Sequence, residues 1–128
     1  MPDNQFKKNE KLKSRKRIAT LFEGGQSFAK YPLRVVWAAV GQREGEAAVQ
    51  FGVSVAKKKF PKAVHRNRIR RLVREAWRLH KYRLVEAAPG KQQALAVMML
   101  YTGTQELPFT EIEAAMKELI HRLLKKWH

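Results

Sequence analysis

Cysteine is absent from this 128-residue chain. That excludes a disulfide framework, a thiolate zinc site and a cysteine nucleophile, and it fits a reducing cytosol. Acid is nearly as scarce. The lone aspartate is Asp3, and ten glutamates are scattered from Glu10 to Glu118. A two-metal nuclease needs several carboxylates converging on its ions, and this chain is poorly stocked for that. Long apolar runs are missing too. The longest, Ala94 to Tyr101, falls far short of the roughly 20 residues that span a bilayer. No apolar stretch follows the basic N-terminus, so it does not read as a secretory signal. The length suits one domain, and a hydrophobic content of 45% suits a packed core better than a disordered basic tail.

Positive charge is what the chain has in excess. The net charge is +16. Residues 57–83 hold twelve basic residues against one acidic, and residues 1–20 hold seven against two. The remaining segments are balanced. Such a concentration costs a compact domain stability unless a polyanion neutralises it, so the expected partner is nucleic acid, ahead of an anionic membrane surface. Residues 1–13, polar and lysine-rich, read as a flexible basic arm, and residues 14–128 as a single α/β domain that binds nucleic acid. Lys13 to Arg17 also fits a nuclear localisation run, a pattern with many false positives.

Periodicity supplies the elements. Ser14 is a candidate N-cap for a short helix carrying Ile18, Leu21 and Phe22, which Gly24-Gly25 ends. Leu33 to Val40 reads as a strand. Val49, Phe51, Val53 and Val55 alternate with smaller or polar residues as a second strand, and the polar turn between them suggests an antiparallel hairpin. Ala63 to His80 reads as a long helix. Its apolar stripe is Val64, Ile69, Leu72, Val73, Ala76 and Leu79, and Arg66, Arg70, Arg74 and Arg78 recur every four residues on another face. Val85 to Gln93 reads as a loop around Pro89-Gly90. Leu95 to Tyr101 reads as a buried strand. Thr110 and Glu113 have capping-box spacing before a C-terminal helix with Ile112, Met116, Leu119, Leu123 and Trp127 on one face. The order α-β-β-α-β-α predicts an α/β (α+β) sandwich, a small mixed sheet packed with helices.

The segment from Lys57 to Arg74, KKKFPKAVHRNRIRRLVR, carries the function. A guanidinium fork binds phosphate bidentately and stacks on bases, and Asn67 adds an amide that both donates and accepts. At Arg66-Asn67-Arg68 with Arg70-Arg71, the sequence resembles the protein subunit of bacterial ribonuclease P. The strand Phe51-Gly52-Val53-Ser54-Val55 before the lysines, and the pattern Leu12, Ile18, Leu21, Phe22, Gly25, Ser27, are similar to that family's as well. The resemblance implies an RNA-binding subunit of an endoribonuclease whose RNA carries the chemistry, so no catalytic residue and no metal site are expected in this chain. Mg²⁺ would be bound mainly by the RNA partner. The reaction implied is removal of the 5′ leader of precursor tRNA, in the cytoplasm, with ribonuclease P RNA and precursor tRNA as partners. No membrane and no obligate protein partner are implied.

Residue by residue, the resemblance assigns Arg66, Asn67, Arg68, Arg70, Arg71 and Arg74 to the RNA subunit, with Lys57, Lys58 and Lys59 beside them. It places Ile18 and Phe22 in a leader-binding cleft. An aromatic is common in the family where this chain has Ile18, and losing a stacking surface costs about 1–3 kcal/mol per base. Phe60-Pro61 departs from the glycine-containing sequence often found after the lysines. Trp37, Trp77 and Trp127 read as packing residues, and His65, His80, His121 and His128 show no ligand spacing. A stand-alone nuclease is disfavoured by the missing carboxylates. A helix-turn-helix DNA-binding protein is disfavoured because a strand, not a helix, precedes the basic helix. A ribosomal or RNA-chaperone role is the nearest rival.

Overall fold

In the computed structural model, which describes residues 10–12, 15–41, 47–87 and 93–127, the elements run α1 (Arg15–Gly24), β1 (Gln26–Lys30), β2 (Leu33–Gly41), β3 (Val49–Val55), α2 (Ala63–His80), α3 (Tyr82–Ala87), β4 (Gln93–Tyr101) and α4 (Phe109–Trp127). Most of the arm, the Ser14 cap, the turn at 42–46, the Pro89-Gly90 loop, the Trp127 side chain and His128 lie outside the described residues. The mixed sheet packed with helices is as expected, with β1 and α3 added to the order.

The continuous apolar run of β4 explains the sheet. Residues 94–99 are all buried, which requires cover on both faces and a neighbour on each side. The strand order is β1-β2-β4-β3. β4 pairs antiparallel with β2, Leu33 opposite Tyr101, and parallel with β3, Val55 opposite Tyr101. The expected hairpin of Leu33–Val40 with Val49–Val55 is therefore not formed, because β4 inserts between the two strands. A parallel pair needs a crossover, and α2 with α3 supplies it.

Alternation then sorts the side chains. Odd-numbered residues Leu33, Val35, Trp37, Phe51, Leu95, Val97 and Met99 join α2 and α4 in the main core. Even-numbered Val36, Ala96 and Met98 meet Leu12 and Leu21 on the α1 side. Trp77 stacks on Phe51 with ring centroids 4.3 Å apart, so both it and Trp37 are packing residues as expected. Val64 is not part of the buried stripe. It is 56% exposed, because the first turn of α2 overhangs the sheet. Thr110 lies inside the first turn of α4 and is not its cap, and the Glu113 carboxylate meets His80 Nε2 at 2.9 Å. Gly25 lets α1 close onto the sheet. A Cβ there would lie 2.5 Å from the Leu21 carbonyl oxygen of α1 and 3.1 Å from the Trp37 carbonyl oxygen of β2.

Tyr101 organises the segment after β4. Its hydroxyl donates to the Gln105 carbonyl at 2.7 Å and accepts from the Leu107 N–H at 3.1 Å. Burial pushes this hydroxyl above the usual 10.0, and the Leu107 N–H opposes the shift. A raised folded value favours the neutral form. The stability it contributes is complete below about pH 10 and is lost as pH rises through the folded value. Tyr101→Phe is expected to cost about 1–2 kcal/mol at neutral pH, and to show a shallower loss of stability above about pH 10 than the parent. Urea unfolding midpoints across that range check this, and equal slopes for both proteins would contradict it.

Candidate nucleic-acid interface

The long basic helix spans Ala63 to His80 as its periodicity predicts. Ile69, Val73, Ala76 and Trp77 are buried. At 3.6 residues per turn, a row of every fourth residue drifts by about 40° per step. The Arg66-Arg70-Arg74-Arg78 row therefore starts beside the core and ends on the solvent side, and its members do different work.

Arg66 is half-buried, and its Nη1 donates to the carbonyls of Phe60 and Pro61, each at 2.8 Å. Lys62 at the N-cap makes no side-chain cap bond, so Arg66 fixes the turn into the helix. Arg68 Nη1 reaches Glu106 Oε2 at 3.1 Å. Arg70 donates to Asn67 Oδ1 at 2.9 Å, which leaves the Asn67 amide its N–H donors. Lys59 Nζ donates to the Thr102 carbonyl at 3.1 Å. Arg78 pairs with Glu75 at 2.6 Å. The hydrogen bond from Arg78 holds the Glu75 carboxyl below its ordinary range, and the same bond raises Arg78.

Arg71 and Arg74, like Lys57 and Lys58, are exposed and make no ion pair among the described residues. The expected contact set thus divides. Lys57, Lys58, Arg71 and Arg74 present uncommitted cations, while Lys59, Arg66, Arg68 and Arg70 are partly engaged with the protein itself.

Beside Arg74 a groove of about 450 Å³ passes around the outer edge of β3. Lys11, Ile18, Gly52, Val53 and Met98 line it together with Arg74. Ile18 is on its wall. Phe22, one helical turn further along α1, is 53% exposed and is not among the lining residues. The segment at Lys11 and Leu12 closes one end. Lys11 forms a parallel bridge to Phe51, and the Leu12 N–H donates to the Phe51 carbonyl at 2.9 Å. A Cβ at Gly52 would lie 2.9 Å from Met98 Cε, so the bare backbone there keeps the floor open.

Arg17 was not singled out by sequence reasoning. Its side chain is buried, donating to Gln50 Oε1 at 3.1 Å and to the Gly41 carbonyl, and it ties α1 to the far ends of β2 and β3. The signal was its position one turn before Leu21, on the helix's buried side. No group of three His, Cys, Asp or Glu side chains fit to hold a metal ion occurs among the described residues. Among them, too, no helix is long and apolar enough to cross a membrane.

Comparison with known proteins bears on this arrangement. The family model described as Ribonuclease P matches residues 6–124. The ribonuclease P protein component of Porphyromonas gingivalis is 42% identical over 117 residues, covering 91% of this chain and 84% of that protein. That of Chlorobium phaeobacteroides is 32% identical over 123 residues, with coverage of 91% and 84%. Among solved structures, the RNase P protein from Thermotoga maritima matches with a TM-score of 0.67 at 21% identity, over 88% of this chain and 96% of that one. The Staphylococcus aureus RNase P protein matches with a TM-score of 0.65 at 20% identity, over 88% and 94%. The structural matches speak for the fold, and the family model with the sequence relatives speaks for descent: the chain belongs to the ribonuclease P protein family.

Proposed function

We propose that this chain is the RNA-binding subunit of a cytoplasmic ribonucleoprotein endonuclease that removes the 5′ leader of precursor tRNA. The observation that carries the reading is the pairing of an uncommitted cationic helix side, Arg71 and Arg74, with a groove that starts at Arg74. One surface then serves two polyanions. The ridge neutralises phosphates of the catalytic RNA and releases their counterions. The groove takes an extended single strand, with Ile18, Val53 and Met98 against its bases and Lys11 and Arg74 beside its phosphates. The protein's catalytic contribution is to lower repulsion between two RNAs and to hold the scissile bond in register.

The Mg²⁺ of this reaction is held mainly by the RNA in this reading. Reconstitution tests the reading. Adding the full chain to a bacterial ribonuclease P RNA at low Mg²⁺ is expected to speed 5′ cleavage of precursor tRNA, and to favour leader-bearing over mature tRNA in binding. No acceleration, or cleavage by protein freed of RNA, would overturn it.

A further inference from the structure

A second cavity, of about 420 Å³, opens between the first turn of α2 and the segment after β4. Phe60, Pro61, His65, Thr104, Glu106 and Lys59 bound it, and its wall is mostly apolar. Neither the ridge nor the groove uses it. Glu106 is the feature that needs explaining, because it is a carboxylate set against the first turns of the most basic helix. Its oxygens accept from Arg68 Nη1 at 3.1 and 3.4 Å, and Oε2 faces His65 Nδ1 at 3.4 Å. An ionised carboxylate has about four acceptor positions, so these contacts leave one on Oε1.

Phosphate oxygens only accept hydrogen bonds, so a phosphate has nothing to offer that position. The groups of RNA that donate are base N–H and the ribose 2′-hydroxyl. A cavity with apolar walls and one convergent acceptor suits a planar ring carrying an N–H edge.

We propose that this cavity takes one unstacked nucleobase of the RNA partner. The base lies against the rings of Pro61 and His65 and gives one N–H to Glu106. Lys59 and the exposed Lys62 stand at the rim, where the flanking phosphates run. Arg68 then has a positioning role: it holds the carboxylate toward the cavity. The inference rests on the RNA-binding reading above and deepens it.

Nucleotide titration of the full-length, ¹⁵N-labelled chain tests it without the RNA subunit. AMP, GMP, CMP and UMP are compared with ribose 5-phosphate. At least one base-bearing nucleotide is expected to shift the amide signals of His65, Thr104 and Glu106 at a concentration about tenfold below that needed by ribose 5-phosphate. Thr104→Phe fills the cavity from an exposed position while sparing the Arg68–Glu106 pair, and it is expected to abolish those shifts with the thermal midpoint unchanged. Glu106→Gln is expected to weaken binding about tenfold, the loss of one good base contact. Equal response to ribose 5-phosphate, shifts confined to Arg71 and Arg74, survival of the shifts in Thr104→Phe, or no response to any nucleotide would each overturn the base pocket. None of these results bears on whether the chain accelerates ribonuclease P RNA, which reconstitution decides separately.

Discussion

Arg71→Ala combined with Arg74→Ala is expected to weaken binding to ribonuclease P RNA about a hundredfold at about 0.1 M salt, because each lost phosphate contact costs roughly tenfold there. The plot of log affinity against log salt should also flatten by about two units, one for each contact removed. Both side chains are exposed and pair with no acid among the described residues, so removing them subtracts counterion release and little else. Arg66→Ala is the contrasting case. Its guanidinium holds two backbone carbonyls in the turn before α2, and losing those bonds is expected to destabilise the fold by about 1–3 kcal/mol while changing the salt slope less. Filter binding across a salt series, with thermal unfolding of each variant, separates the two. A slope unchanged in the Arg71 and Arg74 double variant would remove α2 from the RNA interface.

That contrast marks where sequence reading runs out. The span of α2, its buried side apart from Val64 and the identity of its cations were legible, since an eighteen-residue amphipathic pattern without glycine or proline has one reading. What each arginine binds was not legible. The engagement of Arg66 depends on two carbonyls in the preceding turn, and that of Arg68 depends on Glu106, a residue 38 positions away. The sheet repeats the lesson. Each of β2, β3 and β4 announced itself by composition, but the polar turn between β2 and β3 invited the default of pairing neighbours in sequence. The contrary signal was present: a strand apolar on both faces belongs in the middle of a sheet. β1 carried almost no signal, because only Phe28 of its five residues is even half-buried. Gly52 entered only as one of the small alternating residues, although a glycine inside a strand signals a close approach, and it lines the groove.

Lys81 was counted among the cations of the basic segment, yet it is 2% exposed. Its ammonium sits 2.6 Å from Glu10 Oε1 at the junction of α2 and α3, where its backbone N–H caps Trp77 and its carbonyl accepts from Leu84. The pair joins the segment at residues 10–12 to the end of the basic helix. Surface ion pairs contribute little, but this one is buried on the Lys81 side and half-buried on the Glu10 side, 3% and 13% exposed at the side chains. Lys81→Met removes one charge-assisted hydrogen bond from a part-buried Glu10, and is expected to cost about 1–3 kcal/mol. Replacing both partners, Lys81→Met with Glu10→Leu, should recover most of the loss, because two apolar groups carry no desolvation penalty. The functional consequence follows from chain connectivity. Lys11 and Leu12, next to Glu10, wall the groove beside β3, so the single variant should lose preference for leader-bearing over mature tRNA even well below its unfolding temperature. The double variant should regain that preference along with its stability. A Lys81→Met cost below about 1 kcal/mol would class the pair with ordinary surface contacts. Full leader preference in a strongly destabilised Lys81→Met protein would instead separate the anchoring of residues 10–12 from the shape of the groove.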